Sequence, residues 1–191
     1  GNYTLVENAL ISAIKSKKFS EILVSTDDKD IASLINKYEM KYKSITVHHR
    51  NKRLSSNKAT ALELVNYLIK DKYKDLDFVS LLLPTCPFRN HTHIIEAFEC
   101  FKKETDSVVS LTNYEFPITL SVNIKKNNII LNNKSPLITG KTRSQDQKTF
   151  YRPNGAIYIS KIKSFMKYKN FWRGKVRPYY MSKLHSVDID N

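Results

Sequence analysis

Short apolar runs alternate with amphipathic helical stripes from Thr4 to Leu111, and this rhythm narrows the choice of fold more than any single motif does. Thr4 and Glu7 have the spacing of a capping box, and the stripe Leu5, Val6, Ala9, Leu10, Ala13 and Ile14 that follows predicts a helix. Glu21 to Thr26 reads as a buried strand, Ile31, Leu34, Ile35 and Tyr38 as the inner face of a second helix, and Ile45 to His48 as a second strand. Asn57 is placed to cap a helix carrying Leu62, Val65, Leu68 and Ile69. Asp77 to Leu83 is a continuous apolar run of the kind buried on both faces. Asn90 then opens a helix with Ile94, Ile95, Phe98 and Phe101 turned inward, and Ser107 to Leu111 gives another strand.

Such alternation implies βαβ units, hence an α/β, Rossmann-like chain with a mostly parallel sheet flanked by helices. Ligands of these sheets bind beyond the carboxyl ends of the strands. Two segments fall there: Ser25-Thr26-Asp27-Asp28, which reads equally well as a helix cap, and Pro84-Thr85-Cys86-Pro87-Phe88-Arg89, a loop stiffened by two prolines and closed by an arginine. The rhythm stops between about residues 113 and 149. Ile118 to Ile124 and Ile129 to Leu131 suggest a hairpin around Lys125-Lys126-Asn127-Asn128, followed by a basic stretch through Lys141, Arg143 and Lys148. A segment of ~35 residues without a helix is more often functional than idle, so it reads as an inserted β-arm. Ala156 to Ser160 returns to the sheet, Ser164 to Tyr168 forms a short helix, and Tyr179 to Ser182 is the last candidate strand.

At 191 residues, 41% apolar and 26% charged, the chain has the make-up of one soluble domain, 1–191. No apolar run approaches the ~20 residues of a membrane span, and no secretory pattern opens the chain, so the expected setting is cytoplasmic, with no membrane partner. Cys86 and Cys100 lack CxxC spacing and are too few for a disulfide framework. The net charge of +14 raises nucleic acid as a partner, but the lysines recur along the whole chain instead of forming one block. No nucleic-acid partner is expected; the charge suits a polyanionic small substrate instead.

The chemistry concentrates in Tyr151-Arg152-Pro153-Asn154-Gly155-Ala156-Ile157-Tyr158-Ile159 and in Ser186-Val187-Asp188-Ile189-Asp190. If the second segment is extended, Asp188 and Asp190 face one way while Val187 and Ile189 pack behind them. Paired carboxylates of this kind suit a hard divalent cation such as Mg²⁺, held together with phosphates and water. Arg152 offers a guanidinium suited to phosphate or carboxylate, and Asn154-Gly155 is expected to turn the chain.

The succession VSTDDKDIA (Val24 to Ala32), LLLPTCPFR (Leu81 to Arg89), DSVVSLT (Asp106 to Thr112), YRPNGAIYI and SVDID, with order and spacing kept, resembles the acylneuraminate cytidylyltransferases. The resemblance implies a nucleotide-diphospho-sugar transferase type of fold and transfer of CMP from CTP to a nonulosonic acid, with release of pyrophosphate, in a homodimer. It implies Arg152, Asp188 and Asp190 as catalytic residues and Asp188 and Asp190 as Mg²⁺ ligands. It implies Arg89, Arg143, Asn154, Tyr158, Phe171 and Trp172 around the substrates, and 113–149 as the dimerisation arm. Tyr158, Phe171 and Trp172 also read as plain core packing, and Arg152 and Asp190 as partners in structural salt bridges.

The chain departs from the family pattern at several points. Leu83 stands where the family has Gln, Cys86 where it has Ser, Ser144 where it has a second Arg, and Asn57 where it has Asp. Leucine cannot hydrogen-bond, so the sugar acid is open: sialic, legionaminic, pseudaminic or an octulosonate. The family's first strand and its RxGSKxxxxKN loop lie ahead of the segment matched by Gly1, and the chain is therefore expected to be an interior piece, inactive alone. The competing expectations are a nucleotide-sugar glycosyltransferase, which also uses Asp-x-Asp, and a non-catalytic, basic polyanion-binding module.

Overall fold

A computed structural model describes residues 3–56, 58–70 and 73–189. Helix α1 (Leu5–Ser16) opens on the predicted capping box, with the Thr4 side chain accepting from Glu7 N and the Glu7 carboxylate accepting from Thr4 N. Strand β1 (Ile22–Thr26), helix α2 (Lys29–Lys41) and strand β2 (Ile45–His49) follow, and β1 and β2 pair in parallel from Ile22↔Ile45 to Thr26↔His49. Leu10, Ile35 and Ile45 are buried together where α1 and α2 cover this pair. Helix α3 (Ala61–Ile69) is capped by Thr60 and Glu63; Asn57, the expected cap, lies outside the described residues.

The second sheet is built from β3 (Phe78–Leu81), β4 (Ser107–Asn113), β7 (Tyr151–Lys161) and β8 (Val176–Tyr180), in the order β3-β7-β4-β8. Helix α4 (His91–Glu99), capped by Asn90 as expected, joins β3 to β4, and α6 (Ile162–Tyr168) follows β7. The α/β, Rossmann-like class expected from the sequence is the one observed, with one correction: β7 runs antiparallel to both β3 and β4, so the sheet is mixed. Between β4 and β7 lie a 3₁₀ turn at Ile118–Leu120, the hairpin β5 (Asn123–Lys125) and β6 (Asn128–Ile130), and the short helix α5 (Pro136–Thr139). The hairpin turns through Lys126 and Asn127, at φ 47 and 62. Positive φ at both central residues matches the right-handed twist of a two-residue hairpin.

The four-stranded sheet is buried on both faces. On one face Val108 and Ile159 pack with Ile94 and Ala97 of α4; on the other Val109 packs with Val65 and Ile69 of α3 and with Ile162 and Phe165 of α6. The alternation of Val108 and Val109 is the period-2 pleat expressed as two cores. Among the described residues the two sheets share no ladder hydrogen bond. An apolar groove of about 500 Å³ separates them, with Leu23 and Val24 of β1 on one wall, Val79 and Leu81 of β3 on the other, and Ala9 and Leu64 closing it. Among the described residues no helix is long and apolar enough to cross a membrane.

Candidate active site

Pro153-Asn154-Gly155 does not turn the chain. It forms a bulge inside the single long strand β7, whose register against β4 slips between Val109↔Tyr158 and Leu111↔Pro153. Two steps along β4 thus face five along β7, and the surplus bends the strand at its mouth. Gly155 sits there at φ +75, where an added Cβ would lie 3.3 Å from an Asp188 carboxylate oxygen and 3.5 Å from Cys86 Sγ. Glycine serves twice, by adopting the left-handed backbone and by leaving room for the carboxylate.

Asn154 is 1% exposed and spends its amide inside the protein. Its Oδ1 accepts from Ser110 Oγ at 2.6 Å and from Ala156 N at 3.2 Å, while its Nδ2 donates to Ser186 Oγ at 2.9 Å. Asn154, expected on the substrate side, turns its amide inward here and fastens the acidic segment to the sheet. That segment is not a strand among the described residues. Leu184–Ser186 is a 3₁₀ turn, Ser186 Oγ donates to Ser182 O at 2.7 Å, and Ile189 N donates to Thr85 O at 2.9 Å. These bonds hold Asp188, itself exposed, between the β7 bulge and the Pro84–Arg89 loop. Asp190 lies outside the described residues.

Arg89 closes that loop but does not face solvent. It is 3% exposed, and its Nη1 donates to Leu83 O at 2.7 Å and to Ala156 O at 2.8 Å. Burial lowers its pKa to about 10, which leaves it cationic at neutral pH. Its role as a substrate contact is corrected to that of a buttress tying the loop to β7. Cys86 Sγ donates to Asn154 O at 3.2 Å and lies 3.9 Å from Asp188 Oδ1. Burial first, then the Asp188 charge, pushes its thiol pKa up, so it stays protonated and is no nucleophile. Burial, followed by Cys86 and Asp188, likewise raises the Tyr158 hydroxyl pKa, while its ring packs on the face shared with Val109 and Phe171.

The aromatic trio divides. Phe171 is buried against Phe165, ring centroids 4.8 Å apart, and belongs to the core, against the expectation of a substrate contact. Trp172 is 48% exposed and meets half-buried Tyr158 edge-on at 6.2 Å, which leaves those two to form a wall. Arg152, half-buried, makes one long bond of 3.4 Å to the neighbouring Pro153 O, and among the described residues no carboxylate pairs with its guanidinium. Arg143 is exposed on the Ser144–Asp146 turn of the inserted segment, and among the described residues no side-chain bond ties it to the β7 bulge.

The family model for cytidylyltransferases matches residues 1–186. The chain belongs to the cytidylyltransferase family. It is 27% identical over 193 residues to an N-acylneuraminate cytidylyltransferase of Escherichia coli, covering 98% of this chain and 43% of that protein. It is 29% identical over 196 residues to a CMP-N,N'-diacetyllegionaminic acid synthase of Legionella pneumophila, covering 97% of this chain and 79% of that protein. The chain thus spans less than half the length of the Escherichia coli relative. Among solved structures, the 4-diphosphocytidyl-2C-methyl-D-erythritol synthase of Anaerococcus prevotii superposes with a TM-score of 0.67 at 13% identity, over 100% of this chain and 82% of that one, a likeness of fold.

The ion pair beside the Ser25–Asp28 turn of this cytidylyltransferase is not foreseen from the sequence. Asp28 caps α2, accepting from Asp30 N and Ile31 N, whereas Asp27 pairs with Arg50 at 2.8 Å. The helix-cap reading of the Ser25–Asp28 turn is thus observed at Asp28, and Asp27 is held in an ion pair. Arg50 Nε is buried without a partner at the edge of the apolar groove. The signal was available: Asp27 and Arg50 each follow a strand, and parallel neighbours bring those ends together. For a divalent cation, Asp188 offers a hard oxygen donor that is exposed and in no ion pair among the described residues. The space left by Gly155 lies beside it, and Mg²⁺ takes just one or two carboxylates alongside phosphate and water, so the residues present fit such an ion.

Proposed function

We propose that this chain forms the nucleotide and sugar cleft of an enzyme that transfers CMP from CTP to a nonulosonic acid, releasing pyrophosphate. The observation that carries the reading is the placement of Asp188, exposed yet fastened by Asn154–Ser186 and Thr85–Ile189 at the carboxyl mouth of a Rossmann-like sheet. The names of the two relatives supply the substrate class.

In this reaction the anomeric hydroxyl of the acid attacks the α-phosphorus, a new O–P bond forms, the bond to pyrophosphate breaks, and the hydroxyl proton leaves to solvent. Positioning and charge neutralisation suffice, without a protein nucleophile. Asp188, with Asp190, holds Mg²⁺, which when bound offsets charge on the phosphate oxygens. Arg152 takes an anionic oxygen of the substrates, and Tyr158 and Trp172 wall the sugar. Leu83, whose Cδ1 lies 3.6 Å from a Cβ built on Gly155, turns an apolar group toward the same space and selects among sugar acids. The excess of basic residues draws in the nucleotide, not nucleic acid. The test is pyrophosphate release by the native polypeptide with CTP, Mg²⁺ and a panel of nonulosonic acids. Release with at least one acid, abolished by EDTA, is expected; no release with any acid overturns the reading.

The inserted segment supports a second element of the proposal, a homodimer. Ile124 and Ile129 of the β5–β6 hairpin are 72% and 66% exposed, on strands too short to be stable alone. A second copy of the chain covers them. Ile124→Glu with Ile129→Glu should convert the dimer to monomer in sedimentation at micromolar concentration; a monomeric wild type would contradict the assignment.

A further inference from the structure

Two histidines outside the proposed chemistry meet where the Asp188 segment docks. His93, third residue of α4 and 8% exposed, lies 4.6 Å from His185, centroid to centroid. His93 Nδ1 accepts from Asn90 N at 3.1 Å, completing the capping box with an imidazole where a carboxylate or amide is usual. The ring must therefore carry its proton on Nε2 and keep a lone pair on Nδ1. His185 sits in the 3₁₀ turn between Ser182 and Ser186, its Nδ1 3.0 Å from Ser182 Oγ and its N donating to the same oxygen at 3.3 Å. The next residue, Ser186, bonds to Asn154, and Asp188 follows two residues later.

The surroundings oppose charge on this pair. Burial first, then His185, depresses the His93 pKa from 6.5, and Arg89 and His91 act in the same direction. Glu96 acts against them, but it is exposed and accepts a hydrogen bond from Tyr179. Protonation of His93 at Nδ1 would set donor against donor at Asn90 N.

We propose that His93, packed against the His185 ring, is a proton-operated latch for the segment that carries Asp188: the neutral His93 ring holds it on the sheet, and the protonated ring lets it go. The inference extends the reading of Asp188 as a functional carboxylate, but its physical content is independent of catalysis. For a base with a depressed folded pKa, docking is complete above the unfolded value of 6.5 and is lost as pH falls from there through the lowered folded value.

The readout is amide exchange at Ser186 and Ile189, whose N–H groups bond to Lys183 O and Thr85 O, after correction for the intrinsic pH dependence. Protection should fall severalfold between pH ~7.5 and ~5.5, with about tenfold as the ceiling for one imidazole that stays neutral while docked. His93→Gln, which keeps an acceptor for Asn90 N, and His185→Phe, which keeps the ring, should each flatten that dependence. Undiminished protection in the wild type at the lower pH overturns the latch, as does an equal fall in His93→Gln. Loss of activity with the latch intact would count against the enzymatic reading alone.

Discussion

Asp188→Asn is expected to lower CTP-dependent pyrophosphate release by about 10³-fold, equivalent to ~4 kcal/mol of transition-state stabilisation. The substitution is nearly isosteric and removes one negative charge. In the folded protein Asp188 is exposed, and its one described side-chain hydrogen bond is the 3.9 Å approach of the Cys86 thiol, so thermal stability should change little. The loss should appear in kcat, with a raised Mg²⁺ requirement, because the lost group acts on phosphate charge and not on the sugar. An internal control comes from Cys86. The Asp188 charge helps to push its thiol pKa up, so the variant's thiol should ionise at lower pH and alkylate faster at mildly alkaline pH. Turnover within threefold of wild type would remove Asp188 from the mechanism; unchanged alkylation would contradict its place beside the thiol.

Asn154→Ala should cost more in stability than any surface change. The side chain joins Ser110 on β4, Ala156 on β7 and Ser186 in the acidic segment. Truncation takes the acceptor from Ala156 N, removes the tie between Ser110 and Ser186, and opens a small void, at a cost of about 2–4 kcal/mol. For a chain of this size that corresponds to a fall of roughly 5–15 °C in Tm. Pyrophosphate release should fall too, since Asp188 loses its anchor while every group proposed to touch substrate remains. Asn154→Asp should be no better, because it loses the Nδ2 donor to Ser186 Oγ and sets a buried carboxylate there in place of the amide. A Tm within 2 °C of wild type for Asn154→Ala would show that the amide is not the tie described here.

The elements that sequence predicts well are those whose determinants are local. The capping box at Thr4, the cap at Asn90 and the hairpin turn before Asn128 each involve residues within a few positions of one another, and each forms, although Ile118–Leu120, expected in the hairpin's first strand, is a 3₁₀ turn. The failures share a different cause. Pro-Asn-Gly reads locally as a turn, yet pairing of β7 with strands on both sides absorbs it as a bulge. Ser186 to Ile189 has the alternation of a strand, but Asn154 and Thr85, distant in sequence, dictate its path. Arg89 looks like a free cation at the end of a loop until the carbonyls of Leu83 and Ala156 claim it. Phe171 and Trp172 are adjacent, and only the position of α6 decides that one packs on Phe165 while the other meets solvent.

Arg89 joins three elements at once: Ser12 Oγ of α1 donates to its carbonyl at 3.1 Å, while its own guanidinium bonds Leu83 O ahead of the Pro84–Arg89 loop and Ala156 O on β7. It works as a rivet, so a displacement of the mouth that carries Asp188 drags α1 with it.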